Sequence, residues 1–395
     1  MSKVIIYNGI VLTEQRAIPG GVVCIEDGRI TAVLDSLPPA CGDDTEYMDA
    51  HGQYISPGFI DIHVHGGGGA EFMCDSPEDV ITACMTHLRH GTTAIVPTTS
   101  SAEQDAFVRS VSSIDQAARV MRGGPHILGI HMEGPYFAYT QRGAQDPKYV
   151  RNPDPAEYIP ILDSYPNIIR WSLAPELPGA MEMAAELRRR GVQLSVGHSD
   201  ALYDDVIRAY ENGFNSITHF YSCTSTVRRI NAYRHAGIVE AGYWLDGMAV
   251  EVIADGKHLP ASLLKLILKL KGPERICLVT DAVGPAGLEN VQGELYSKTC
   301  GTSVVIEDGV AKLPDRSAFA GSIATADRLV RNMICVAGAS VTDAVKMAST
   351  TPARLLGIDS RKGSIAAGKD ADIVLFDDDI RVSAVLVDGK LVWKG

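Results

Sequence analysis

From Phe59 to Asp281, short apolar runs alternate with longer amphipathic segments, and few folds can absorb that rhythm. The runs are 59–65, 92–97, 127–133, 168–174, 193–198, 216–221, 249–254 and 276–281. Segments rich in Ala, Leu, Arg and Glu separate them, among them 102–122, 180–190, 201–212 and 260–270. Strand–helix alternation of this kind implies parallel strands with covering helices. About eight such units over roughly 250 residues fit an α/β fold of the (β/α)8, TIM-like barrel type better than an open sheet. Beyond them, 292–313 reads as an inserted hairpin, and 324–338 and 341–349 read as closing helices.

The two ends of the chain have a different texture. Val4–Tyr7 is followed by Asn8-Gly9, and Gly21–Ile25 by Glu26-Asp27-Gly28; near the other end, Ala371–Phe376 and Val382–Val387 precede Asp388-Gly389 and Leu391–Trp393. Asn-Gly and Asp-Gly between apolar runs are strong hairpin signals. Neither end alone has enough strands for a stable sheet. The economical solution pairs the two into one small β-sandwich domain, 1–55 plus 355–395, beside a barrel over 56–354.

At 395 residues the chain can form one large domain or two medium ones, and 46% hydrophobic residues is ordinary for a large core. The net charge of −12 argues against nucleic acid or an anionic membrane surface as a partner. No stretch reaches the roughly 18 apolar residues a membrane span needs. The first residues, Met1-Ser2-Lys3-Val4, run straight into a strand pattern without signal-peptide architecture, so a cytoplasmic location is expected. The eight cysteines, Cys41 among them, are scattered without a CxxC pair and read as reduced thiols.

Barrel enzymes carry their chemistry where strands end and loops begin. The first run closes on His63-Val64-His65 and opens into four glycines, Gly66–Gly69. In an extended strand His63 and His65 point to one face, a metal-binding half-site beside a loop that leaves room above it. His131 and Glu133 end the third run with the same spacing, His198 the fifth, His219 lies near the end of the sixth, and Asp281 ends the eighth. Each alone has an ordinary structural explanation, such as a hydrogen-bonded histidine or a helix N-cap. Five histidines, a glutamate and an aspartate on one rim point instead to a divalent ion, with Zn²⁺ expected and Glu133 able to bridge two. Such a site performs metal-assisted hydrolysis, and Asp281, opposite the cluster, is placed to take a proton from water and return it to a leaving amine.

These residues carry a resemblance. Pro57–Gly66 looks like the first-strand signature of the amidohydrolase superfamily. His131–Pro135, Leu173–Glu176, Gly197–Ser199, Thr218-His219, Ala254–His258 and Leu278–Ala282 resemble the N-acetylglucosamine-6-phosphate deacetylases, and the match runs essentially end to end. The resemblance implies that Glu133, His198 and His219 hold the main metal, that Asp281 is general base and acid, that His258 orients the substrate, and that the backbone at Gly134 lies near the sugar. It also implies a second ion at His63 and His65, so one or two per chain, and a homodimer that shares part of its phosphate site. The substrate would be a phosphosugar, deacetylated to acetate and glucosamine 6-phosphate.

The segment Thr224–His235 has three arginines, a histidine and no acid, suited to phosphate against the chain's acidic field. Arg234 lies where the family's phosphate-binding arginine falls. Two departures concern the same pocket: Ser222-Cys223 stands where the family usually has Asn-Ala, and Gln145 where some members have histidine. Another acetamido sugar phosphate, or an N-acyl amino acid, is therefore the alternative substrate. A non-catalytic scaffold predicts eroded ligands, which this chain does not have.

Overall fold

The computed structural model describes residues 3–38 and 45–395; Met1, Ser2 and Cys41 lie outside them. Eight parallel strands occupy the expected runs: Phe59–Val64, Thr92–Pro97, Ile130–Glu133, Ile168–Leu173, Gln193–Val196, Phe214–Ile217, Ala249–Val252 and Ile276–Leu278. The third to the eighth pair in order within one six-stranded sheet; the first pairs with the second in a three-stranded one. A single bridge, Thr98 to His131, joins the second strand to the third. On the other side the Asp281 N–H donates to the His63 carbonyl (2.9 Å) and the His65 N–H to that of Ala282 (2.8 Å). The ladder is thus interrupted at two seams rather than continuous. Gly129 makes one of them: it sits at φ +155°, and a Cβ there would meet the Asn167 carbonyl oxygen at 2.7 Å. The expected 127–133 strand accordingly splits into His126–Ile127 and Ile130–Glu133.

Period-two alternation sorts these strands by chemistry. Ile60 and Ile62 pack outward in a buried cluster with Ala94, Val96, Cys277, Val279 and Ala353. Asp61 and His63 lie on the opposite face with Arg170, Ser172, Ser195 and Glu251, all buried. That inner face is polar and internally satisfied: the Thr218 hydroxyl meets those of Ser172 and Ser195, both at 2.7 Å. The covering helices obey ordinary capping rules. Pro77–Arg89 starts at Ser76, whose side chain accepts from the Asp79 N–H, and Pro155–Ser164 starts at Asp154, which accepts from Ala156.

Both ends of the chain share one eight-stranded sheet, in which Tyr54–Pro57 pairs antiparallel with Ile373–Phe376. Its pairing is that of a single sheet rather than two facing ones. One side holds its own core, with Ile6, Val23, Ile55, Ile373, Leu375 and Leu386. From the other side Val374, Phe376, Val385 and Val387 join the main core. Asp27-Gly28 and Asp388-Gly389 form the expected hairpin turns, with positive φ at both residues of each. Asn8-Gly9 does not. It is an irregularity inside one ten-residue strand, Lys3–Leu12, whose first half pairs with Thr45–Asp49 and second half with Tyr54–Pro57. A Cβ at Gly9 would lie 2.7 Å from the Gln53 carbonyl oxygen, so the glycine permits close approach rather than a turn.

The insertion is three-stranded, not a simple hairpin: Gly293–Ser297, Thr302–Glu307 and Val310–Lys312. The expected 324–338 helix is α-helical over Ala326–Asn332 and changes to a π turn over Met333–Ala337. Among the described residues no disulfide joins two cysteines, and no helix is long and apolar enough to cross a membrane.

Candidate active site

Three site residues leave their strands in an unusual backbone conformation. His198, His219 and Asp281 follow Val196, Ile217 and Leu278 with φ of +48°, +29° and +47°. Non-glycine residues rarely sit there, and each such case costs on the order of 1–3 kcal/mol unless its surroundings fix it. Here they do. The carbonyls of His198, His219 and Asp281 accept from the N–H groups of Ala138 (2.9 Å), Ser222 (2.8 Å) and Ser322 (2.8 Å). Turned this way, the three side chains point into one cavity of about 340 Å³ rather than along the strands.

Glu133 stands at the centre. Its Oε1 lies 3.2 Å from the Nε2 of both His198 and His219 and 3.3 Å from that of His63; its Oε2 lies 3.2 Å from His65 Nε2. Asp281 Oδ1 is 3.2 Å from His65 and 3.5 Å from His63. Two groups around this cavity could hold a metal ion, His63–His65–Glu133 and Glu133–His198–His219, all buried and sharing the glutamate.

The donor set fits such an ion on its own chemistry. His198 Nδ1 meets the Gln141 carbonyl (2.8 Å), His219 Nδ1 the Ser222 carbonyl (3.1 Å) and His63 Nδ1 the Glu251 carboxylate (2.9 Å). These partners only accept, so Nδ1 carries the hydrogen and each Nε2 presents a lone pair. The Nε2 atoms of His198 and His219 are 3.0 Å apart, and those of His63 and His65 3.3 Å. Lone pairs this close to each other and to a carboxylate repel unless a cation stands among them. Protons can serve too. Burial disfavours a charged His63, but Glu133, Glu251 and Asp281 overcome it and hold the ring well above its usual range. At His198 burial is likewise outweighed, by Cys223 and Glu133, and the pKa rises to about 10. Burial would raise the Glu133 and Asp281 carboxyls, yet the surrounding imidazoles, His63 foremost, hold both below the usual range.

Other expected residues fall in different places. His131 faces inward like Glu133 but lies deeper, its ring nitrogens on Thr98 Oγ1 (3.2 Å) and Ser172 Oγ (2.7 Å), and burial holds it well below the usual histidine range. Gly134 does not line the cavity. Its N–H goes to the Ser172 carbonyl, and its own carbonyl accepts from the Trp171 indole at 2.9 Å. Gln145 lines the cavity, but its amide donates to Glu133 Oε2 (3.1 Å) and accepts from the Ser101 N–H (2.7 Å). Ser222, Cys223 and His258 line it as well; His258 Nδ1 is held by Asp255 at 2.8 Å. Arg234 is exposed on a two-stranded hairpin, opposite Arg229, and does not line this chain's own cavity. The glycine run also has another job than leaving room: a Cβ at Gly66 would meet the Ala70 carbonyl oxygen at 2.4 Å, and one at Gly67 the His87 ring at 2.9 Å.

Some site residues escaped the sequence reading. Thr299, Cys300 and Ala318–Gly321 form a wall of the cavity from the insertion. Glu71 anchors that wall, accepting from the Thr299 N–H (2.8 Å), Ser297 Oγ (2.9 Å) and the Gly284 N–H (3.3 Å). No local motif announces it. Arg170 and Glu251, behind the histidines, did leave a signal: a charge in the middle of an otherwise apolar strand.

Residues 54–392 match the amidohydrolase family. An N-acetylgalactosamine-6-phosphate deacetylase from Escherichia coli O157:H7 is 32% identical over 383 residues, spanning 96% of this chain and 97% of that protein. A human N-acetylglucosamine-6-phosphate deacetylase is 32% identical over 365 residues, 88% of this chain and 86% of the relative. A mutant N-acetyl-D-glucosamine-6-phosphate deacetylase from Mycobacterium smegmatis, solved with N-acetyl-D-glucosamine-6-phosphate, superposes with a TM-score of 0.90 at 31% identity, covering 99% of this chain and all of that one. With its paired histidines, shared glutamate and family match over most of its length, the chain belongs to the amidohydrolase family.

Proposed function

We propose that this protein is a metal-dependent deacetylase that hydrolyses N-acetylglucosamine 6-phosphate to glucosamine 6-phosphate and acetate. The observation that carries the reading is Glu133 placed between two histidine pairs whose Nε2 lone pairs converge on it, in a chain that is 31–32% identical to such enzymes over most of its length. Glu133, His198 and His219 would hold one ion, His63 and His65 with the same glutamate a second; Zn²⁺ suits the nitrogen-rich set. A divalent ion there supplies Lewis acidity to the acetamide carbonyl and to water. Asp281, held ionised, takes the proton of the attacking water and returns it to the leaving amine nitrogen. Asp255 keeps a hydrogen on His258 Nδ1, so the other ring nitrogen faces the cavity's contents as a hydrogen-bonding group. The eight strands act as one closed barrel over 56–354, and the terminal sheet, 1–55 with 355–395, as its companion domain.

Phosphate recognition belongs to a homodimer in this reading. Arg229 and Arg234 face each other across an exposed hairpin, beside Tyr233, which is 75% exposed, and none of them lines the cavity of its own chain. Such a basic finger suits a neighbouring copy's phosphosugar. A cytoplasmic place fits this metabolic role.

A second reading has its own observation: the relative spanning 97% of its length is an N-acetylgalactosamine-6-phosphate deacetylase. The two sugars differ only at one ring carbon, and Ser222-Cys223 lines the cavity. Acetate release from both sugar phosphates and from unphosphorylated N-acetylglucosamine, with Zn²⁺ added, separates the readings. Preference for the glucosamine compound is expected; preference for the galactosamine compound reassigns the sugar, and silence on both sinks the substrate class.

A further inference from the structure

Glu251 lies in the middle of the strand Ala249–Val252 and is fully buried, as is its ion-pair partner Arg170 on the strand Ile168–Leu173. A buried ion pair is by itself a poor source of stability, because an apolar pair of the same size avoids its desolvation cost. What distinguishes this one is where its second oxygen goes. Glu251 Oε2 accepts from the His63 Nδ1–H at 2.9 Å and from the backbone N–H of His219 at 3.1 Å. His63 belongs to one candidate ion group and His219 to the other.

We infer that Glu251 is a positioning residue that ties the two half-sites together through one carboxylate oxygen, resting on the metal-site reading above. Its charge keeps the His63 hydrogen on Nδ1 and so leaves Nε2 free to bind an ion. Its second bond holds the His219 backbone in the left-handed conformation that turns that ring into the cavity. Arg170 fixes the carboxylate in turn. The guanidinium is pinned by Gln193 Oε1 (2.6 Å), the Ile62 carbonyl (3.2 Å) and Ser216 Oγ (3.3 Å), so Glu251 has one orientation open to it. Five strands thereby contribute to one device.

A neutral amide cannot replace it. If the Glu251→Gln oxygen faces His63, its NH₂ group faces the Arg170 cation. If the amide flips, the NH₂ donates to His63 Nδ1 and drives the ring hydrogen onto Nε2, where it blocks an ion. Arg170→Met with Glu251→Leu replaces the buried ion pair by an apolar pair of similar size and removes the acceptor of the His63 Nδ1–H and the His219 N–H, and so separates folding from site geometry.

The test measures Zn²⁺ stoichiometry by elemental analysis and affinity by chelator competition, in wild type, E251Q and the double variant, alongside denaturant unfolding of the metal-free proteins. The expected result is two ions in wild type and a loss of about 10- to 100-fold in affinity at both sites in E251Q. The double variant is expected to unfold like wild type yet still bind weakly. A double variant of wild-type stability and wild-type affinity overturns the inference, as does E251Q weakened at only one site. Wild type that takes up no Zn²⁺ overturns the underlying metal reading instead.

Discussion

Asp281 presents one carboxylate oxygen to His65 and His63 and none to His198 or His219 within ion-pair distance. Asp281→Asn keeps its shape and removes its basicity. Turnover should fall by roughly 10²- to 10⁴-fold, while elemental analysis still finds the ion held by Glu133, His198 and His219; loss of that ion would show that Asp281 is a ligand rather than the base. Gly143 makes a second residue-scale prediction. It sits at φ +57°, and an added Cβ would lie 2.7 Å from Cys223 Sγ and 3.6 Å from the His198 ring. Gly143→Ala should raise KM or lower kcat by pushing that thiol into the cavity, and Cys223→Ala in the same chain should recover part of the loss. Additive effects of the two changes would refute the contact. The residue-level site was largely legible because spacing fixes which face a strand residue occupies: His63, His65, Glu133, His198, His219 and Asp281 do meet. Spacing says nothing of depth. His131 shares the face of Glu133 but lies two residues down the strand, among hydroxyls instead of ligands. Arg234 was legible as a charge, not as a direction.

At the scale of elements, the helix Pro77–Arg89 supports the glycine run through one histidine. His87 is fully buried, and its Nε2–H donates to the Gly66 carbonyl at 2.8 Å. Burial lowers its pKa to about 4. The unfolded chain binds this proton below about pH 6.5 and the folded chain does not until about pH 4, so stability declines as pH falls through that window. The loss from this group reaches about 3 kcal/mol at the acid end. His87→Gln keeps a donor for Gly66 without the titration, so urea unfolding at pH 7.5 and pH 4.5 should show a smaller difference in the variant; equal differences would refute the assignment. Element identities were read well where long periodic runs specified them and poorly where one glycine decided. Asn8-Gly9 has the composition of a turn, but Gln53 and Ile55 crowd that glycine and keep it inside a strand. Gly129 divides a run that composition leaves whole. In both cases a contact from a distant segment sets the outcome, and local sequence does not carry it.

For the molecule as a whole, the terminal sheet and the parallel strands share one hydrophobic core and should unfold together. Phe376 ends a strand of that sheet, yet its ring lies 5.5 Å from Tyr54 and 6.2 Å from Phe59, the residue that opens the strand bearing His63. Phe376→Ala should cost about 3–5 kcal/mol, and calorimetry should show a single transition moved to lower temperature. Two resolved transitions would show that sheet and strands unfold independently. His126 adds a polar tie between the same parts, 3.2 Å from Asp388 and 3.7 Å from Asp372. The alternation of runs made the parallel strands legible from sequence, and matching texture made the union of the two ends legible. Whether the ends formed one sheet or two depended on the pairing of Tyr54–Pro57, four residues with no distinguishing pattern.

That pairing also sets a clock on biosynthesis. Pro57 finds its partner Ile373 only after roughly 300 further residues have been made, which at ribosomal rates is on the order of 15–60 s. Through that interval Tyr54–Pro57 offers a bare strand edge in the nascent chain, so crowded polysomes and slow codons late in the message bear more heavily on yield than on the stability of the finished enzyme.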